Sequence, residues 1–157
     1  MNTIGKVSLR ESTDKDLMLV YKWRCNPLIY NGLYTQHIEN RPLELAEHVK
    51  WWYTHNLWKK FIITVDNNKI GWLNINFMDG YWSPEIGIGI GETNYCRKGY
   101  AKKALLLGLK YLINRGYKYT HTTILDDNIV SIRLFESVGY VRGPESRPGE
   151  SWYYMKL

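Results

Sequence analysis

The chain has 157 residues, 45% of them hydrophobic and 23% charged, with 21 Lys+Arg against 15 Asp+Glu and seven Trp and thirteen Tyr among its aromatics. This composition suits one globular domain with a sizeable core and excludes a disordered, fibrous or two-domain chain, so a single domain over residues 1–157 is expected. No run approaches about 18 apolar residues, and Met1 to Asp16 lacks the apolar core of a signal peptide, which makes neither membrane insertion nor secretion the expectation and the cytoplasm the default compartment. Cys25 and Cys96 are isolated, without CxxC spacing, and read as reduced thiols.

The elements follow in order. Val7 to Glu11 alternates as a short strand. Thr13 and Asp16 form a capping-box-like start for a helix carrying Leu17, Val20, Tyr21 and Arg24, which Pro27 ends. Asn40 and Pro42 introduce a second helix from Leu43 to about His55, with Leu45, Val49 and Trp52 at helical spacing. Phe61 to Val65, the turn Asp66 to Lys69 and Ile70 to Met78 read as a hairpin. The turn Asp79-Gly80 and Pro84 lead to a strand over Glu85 to Gly91. A glycine-containing loop, Tyr95 to Lys98, feeds a helix from about Gly99 to Arg115 that Gly116 terminates. Thr120 to Ile124 is a further strand, and Asp126 or Asp127 is the expected cap of a helix from about Asn128 to Val138. Two short strands, parted at Gly143-Pro144 and Pro148-Gly149, complete the order β-α-α-β-β-β-α-β-α-β-β, an α/β or α+β domain.

The net charge is +6. Such a surplus suits a nucleic acid, a phosphorylated ligand or mere solubility. Between Thr93 and Leu125 there are seven basic residues, Arg97, Lys98, Lys102, Lys103, Lys110, Arg115 and Lys118, and no acid. The whole surplus is therefore local, which points to an anionic site or to a basic solvated helix face rather than to a stripe that tracks a polyanion.

Two stretches carry chemistry. In Glu85-Ile-Gly-Ile-Gly-Ile-Gly91, a period of two puts three isoleucines on one face and Glu85, Gly87, Gly89 and Gly91 on the other. Glycine in a strand interior costs stability, so either something approaches that backbone closely or the strand is bulged beneath a packed helix. In Cys96-Arg-Lys-Gly-Tyr-Ala-Lys102, successive N–H groups at a helix N-terminus, with basic side chains around them, suit a phosphate or pyrophosphate. Neither stretch is a P-loop or a dinucleotide GxGxxG. The four histidines show no metal-ligand spacing, and no metal is expected.

These stretches resemble the GNAT superfamily of acyl-CoA-dependent N-acyltransferases. Cys96-x-x-Gly99-x-Ala101 matches the family loop (Q/R)-x-x-G-x-(G/A) except at its first position, Glu85 lies eleven residues before it, and Asn128-x-x-Ser131-x-x-Leu134-Phe135-Glu136-x-x-Gly139-Tyr140 resembles a second family block. The resemblance spans nearly the whole chain. It implies the GNAT fold, a mixed, mostly antiparallel sheet of about six to seven strands flanked by about four helices, and acetyl-CoA as co-substrate. It also implies that Arg97, Lys98, Gly99, Tyr100, Ala101 and Lys102 hold the CoA pyrophosphate. The pantetheine arm would run beside Gly89, Ile90 and Gly91, and Asn128 and Ser131 would touch the cofactor. Glu85 would be the general base, and amides at the end of the glycine strand would stabilise the oxyanion. Cys96 and Phe135 depart from the pattern, the latter in place of a tyrosine that protonates the departing thiolate.

In the resembling family the first two helices build the acceptor site, which directs attention to Trp23, Tyr30, Tyr34, His48 and Trp51. The run Tyr21 to Asn26 with His48-x-x-Trp51 is similar to a branch that acetylates nucleotide-linked amino sugars. Branches acting on ribosomal-protein N-termini and on antibiotics share the architecture, and a non-catalytic CoA binder is the reading that Phe135 suggests. The expected partner is a small-molecule amine, with no nucleic acid or membrane, for a monomer or homodimer.

Overall fold

The computed structural model describes residues 5–30, 33–54, 58–77 and 83–157. Strand β1 (Val7–Glu11) is followed by a 3-10 turn, Asp14–Asp16, and by helix α1 (Leu17–Arg24). Thr13 and Asp16 form the expected reciprocal box, with the Thr13 N–H donating to Asp16 Oδ2 at 2.8 Å. Asp16 is buried yet held ionised: desolvation raises its carboxyl, but the bonds from Arg10, the Thr13 amide and Lys69 prevail and leave it well below the usual carboxylate range.

The first departure from expectation comes next. Pro27 ends α1 but also opens α2 (Pro27–Tyr30), since its fixed φ and missing N–H suit a first helical position. Helix α3 (Tyr34–Glu39) is a further addition, closed by Asn40 in the left-handed region at φ 51°. With α4 (Leu45–Thr54), four α-helices rather than two precede the sheet's second strand among the described residues. Leu43, His48 and Trp52 are the buried residues around α4, while Leu45 and Val49 are exposed, so of the expected stripe Trp52 alone faces the core. His55, Met78, the Asp79-Gly80 turn and the Tyr30 side chain fall outside the described residues.

Strands β2 (Trp58–Val65) and β3 (Asn68–Asn76) form the predicted hairpin. Its two-residue turn places Asp66 and Asn67 at φ 49° and 69°, the paired left-handed geometry that Asp and Asn tolerate. Then come β4 (Glu85–Ile90), α5 (Tyr100–Asn114), β5 (Tyr119–Leu125), α6 (Ile129–Val138), β6 (Val141–Arg147) and β7 (Glu150–Lys156). Gly143-Pro144 lies within β6, and only Pro148-Gly149 makes a turn. Asn128, not Asp126 or Asp127, caps α6, its side chain accepting from the Ser131 amide at 3.3 Å.

The seven strands form one sheet in the order β1-β2-β3-β4-β5-β7-β6, antiparallel at every junction except the parallel pair β4 and β5. On one face Leu105, Leu109 and Leu112 of α5 and Phe135 of α6 pack on Ile63, Ile75 and Ile86. On the other, Leu17, Val20 and Trp23 of α1 and Trp52 of α4 cover Ile62 and Trp72. A sheet covered on both sides leaves its one weak seam as the natural place for a ligand.

Candidate active site

That seam lies between β4 and β5, whose parallel ladder is confined to Glu85 and His121. Side chains tie the same end: Thr120 Oγ1 donates to Pro84 O at 2.9 Å and Thr122 Oγ1 to Ile86 O at 2.8 Å. Further along, a cleft opens, lined by Gly87 and Ile88 on one side and by Thr123, Leu125, Asn128 and Ser131 on the other. The Gly91 N–H donates to Ile70 O at 2.7 Å. Because donors alternate sides along an antiparallel strand, the main-chain groups of Gly87, Gly89 and Gly91 serve β3, and those of Ile88 and Ile90 point to the cleft edge.

The glycine face is not bare. A Cβ at Gly91 would overlap the Trp23 indole, one at Gly89 the Trp72 indole, and one at Gly87 would press on the Asn74 amide at about 2.9 Å. The glycines admit two stacked indoles, Trp23 and Trp72, with centroids 6.4 Å apart. The close neighbour inferred from the glycine spacing is thus a layer of the protein's own side chains. Of the expected main-chain contacts, Ile90 offers a free edge, whereas the Gly91 amide is already engaged.

Beyond the C-terminal end of β4, α5 begins after a turn in which Arg97 (φ 59°) and Gly99 (φ 85°) are both left-handed. The first N–H groups of a helix have no intrahelical acceptor, and here they include those of Tyr100, Ala101 and Lys102. Arg97, Lys98, Lys102 and Lys103 are exposed around them. The Cys96 residue is exposed, but desolvation about its sulfur raises the thiol above its usual range and Arg97 only partly offsets this, the reverse of what a nucleophilic thiolate requires.

At the start of β4, two residues before the cleft-lining Gly87, the Glu85 carboxylate is about a third exposed and lies 3.6 Å from His121 Nε2. The cleft is also lined by Arg24 of α1, Trp51 of α4, Trp58 of β2 and Trp72 and Asn74 of β3. Arg24 stacks on Trp51, 4.0 Å from the ring centroid, and donates from Nη1 to His48 Nδ1 at 3.1 Å. His48 Nε2 in turn donates to Leu17 O at 2.8 Å. Burial pushes His48 down to about 4, with the Arg24 charge adding to the effect, so the imidazole is neutral at pH 7. Burial also pushes Arg24 down to about 10, which leaves it charged. A buried cation with a neutral partner therefore faces the cleft.

The sequence-predicted acceptor residues divide. Trp51 lines the cleft. Trp23 and His48 stand behind it, the former donating from Nε1 to Glu92 at 2.9 Å. Tyr34 lies against the β6–β7 hairpin, its hydroxyl bonded to Pro148 O at 3.1 Å and its ring under Arg147. Arg24, Trp58, Trp72 and Asn74, which line the cleft, and His121 beside Glu85 are not marked by the sequence pattern as site residues. Arg24 alone had a signal, a charge placed on the apolar stripe of α1. Phe135 is buried edge-on to Tyr140, and no tyrosine lines the cleft among the described residues. Among those residues, too, no group of three His, Cys, Asp or Glu could hold a metal ion.

The acetyltransferase (GNAT) domain family matches residues 6–141, and the chain belongs to that family. It is 40% identical over 98% of its length to an uncharacterised protein of Methanocaldococcus jannaschii, of which it spans about a third, 32%. A solved domain from the same organism is 39% identical, superposes with a TM-score of 0.89 and is covered over 99% of its length, with 98% of this chain. An aminoglycoside acetyltransferase solved with coenzyme A (TM-score 0.81, 18% identity, 96% of this chain and 95% of that one) shares the fold. So does a spermidine N-acetyltransferase from Vibrio cholerae solved with CoA and spermine, with a TM-score of 0.79, 18% identity and the same coverage.

Proposed function

We propose that the chain binds acetyl-CoA in the β4–β5 cleft and transfers the acetyl group to a primary amine, the acceptor being an amino sugar, in the first place one carried on a nucleotide. The observation that carries the reaction is the arrangement of the seam: an anion-attracting helix N-terminus at one end, a carboxylate at the other, and free main chain between them. In this reading the α5 amides with Arg97, Lys98 and Lys102 hold the pyrophosphate, and the N–H and C=O groups of Ile88 and Ile90 pair with the amides of the pantetheine arm. Asn128 Oδ1 is committed to capping α6, so Asn128 meets the cofactor through its Nδ2 donor, with Ser131 one turn on.

Glu85 takes a proton from the acceptor ammonium, directly or through a water. The amine lone pair then attacks the thioester carbon, the main-chain amides at the cleft edge stabilise the oxyanion, and the C–S bond breaks. The second nitrogen proton leaves for the thiolate or for solvent. A thiol with an ordinary pKa of about 8.5 is a tolerable leaving group, so Phe135 costs the reaction a general acid but does not block it.

The acceptor class rests on Arg24. Three indoles, Trp51, Trp58 and Trp72, offer flat apolar faces for a sugar or a base, and the buried guanidinium beside them suits an anion such as a phosphate. Lys60, half-buried and 5.3 to 5.9 Å from the centroids of Trp51, Trp52 and Trp58, adds a second cation. Such a field disfavours the polycationic amines bound by some structural neighbours.

Thiol release from acetyl-CoA, measured with a UDP-linked amino sugar, kanamycin, spermine and a peptide with a free N-terminus, tests this. The expected result is fastest release with the nucleotide sugar, and in Glu85→Gln a fall in kcat of about 10²- to 10⁴-fold with acetyl-CoA affinity retained. Retained binding with no release from any of these amines would mark a non-catalytic CoA binder, and unchanged turnover in Glu85→Gln would remove Glu85 from the mechanism.

A further inference from the structure

We infer that His121 is the positioning residue of Glu85, fixing the direction of its carboxylate at the β4–β5 seam. The inference rests on the reading of Glu85 as the base. His121 sits on β5 directly across from Glu85, at the one register pair that joins the two strands. Its side chain is only 5% exposed, and both ring nitrogens face polar groups: Nδ1 lies 3.0 Å from Ser83 Oγ, and Nε2 lies 3.6 Å from Glu85 Oε2.

The tautomer follows from these neighbours. A carboxylate only accepts, so the nitrogen facing Glu85 is the one that carries hydrogen, and the Ser83 hydroxyl then donates to Nδ1. The ring is fixed in its plane by Trp152, with centroids 5.3 Å apart, and by Tyr154 at 6.3 Å, both from β7. The groups around the pair include Ser83 before β4, Trp152 and the Tyr154 phenol on β7, and Asn76, opposite Glu85 on β3. A separation of 3.6 Å is long for a hydrogen bond, but such contacts commonly shorten when the reacting complex forms. Fixing the carboxylate's direction supplies the orientation that a general base needs.

The test uses the acetyl-CoA complex of the full chain and three variants. In His121→Phe the ring shape persists without a donor. In His121→Asn the amide is too short to reach Glu85. In His121→Gln the Nε2 donor is restored at the right distance. Crystal structures of the complexes report the direction of the Glu85 carboxylate, a readout that needs no acceptor. The carboxylate is expected to leave its place beside residue 121 in His121→Phe and His121→Asn, and to keep it in His121→Gln. With the best acceptor of the amine panel, kcat should fall about 10-fold or more in the first two variants alone, with the KM for acetyl-CoA unchanged. A Glu85 carboxylate that keeps its direction in His121→Phe or His121→Asn overturns the inference, as does an equal displacement in His121→Gln. Because the direction is read without turnover, failure of the amine panel and failure of this pairing are separate results.

Discussion

Arg24 is buried and charged, and its hydrogen-bond partner is a neutral imidazole. A cation so placed costs desolvation energy that an anion in the cleft would recover, which makes it a measurable determinant of the acceptor. Arg24→Leu should raise KM for a phosphate-bearing acceptor by about 10- to 100-fold, the loss of one charged hydrogen bond, with little change in acetyl-CoA affinity. Arg24→Lys should recover only part of this, because a point charge does not reproduce the planar fork stacked on Trp51. Saturation kinetics against the nucleotide sugar check both. Residue by residue, sequence found best what depends on local pattern. Glu85 was legible because it ends a glycine track, and Trp51 because two adjacent tryptophans cannot both be buried. Arg24, Asn74 and His121 were not, since their meeting depends on how β3, β4, β5 and α1 are assembled, and no spacing along the chain records it.

At the scale of elements, strands and long helices were legible to within about three residues, β2 beginning at Trp58 rather than Phe61 and β3 at Asn68 rather than Ile70. The hairpin turn, the α5 start at Gly99 and its stop at Gly116 are each set by left-handed φ values that Asp, Asn and Gly permit. The two short helices α2 and α3 were missed, because four and six residues carry too little periodicity to show and are held by tertiary packing. The glycine strand was read correctly as a place of close approach, but the approaching groups are Trp23, Trp72 and Asn74. The cap of α6 gives an element-scale prediction. Asn128→Ala should lower stability by about 1 kcal/mol and Tm by about 2 to 4 °C, whereas Asp127→Ala should leave Tm within error. Thermal unfolding followed by circular dichroism distinguishes the two.

Across the whole molecule, helices cover both faces of the sheet, and a cleft opens at the seam where strands run parallel and part. The charge distribution agrees, with more than the entire net +6 in the segment that contains the α5 N-terminus. Global stability carries its own signature in His48. Its folded value of about 4 lies below the ordinary imidazole value of about 6.5, so the unfolded chain binds a proton that the native chain does not. The stabilisation is complete above pH 6.5 and is lost as pH falls toward 4, in total about 3 kcal/mol. Urea unfolding of wild type should therefore lose stability between pH 7 and 4.5, and His48→Gln, which keeps a donor for Leu17 O, should lose clearly less over the same range.

The central claim is geometric: one seam holds the acyl donor and presents it to Glu85. A crystal structure of the chain with CoA tests this most directly. The account predicts the pyrophosphate on the amides of Gly99 to Lys102, the pantetheine amides paired with the main chain of Ile88 and Ile90, and the thiol directed toward the Glu85 end of the cleft. CoA bound elsewhere, or bound in the cleft with its thiol pointing away from Glu85, would contradict it.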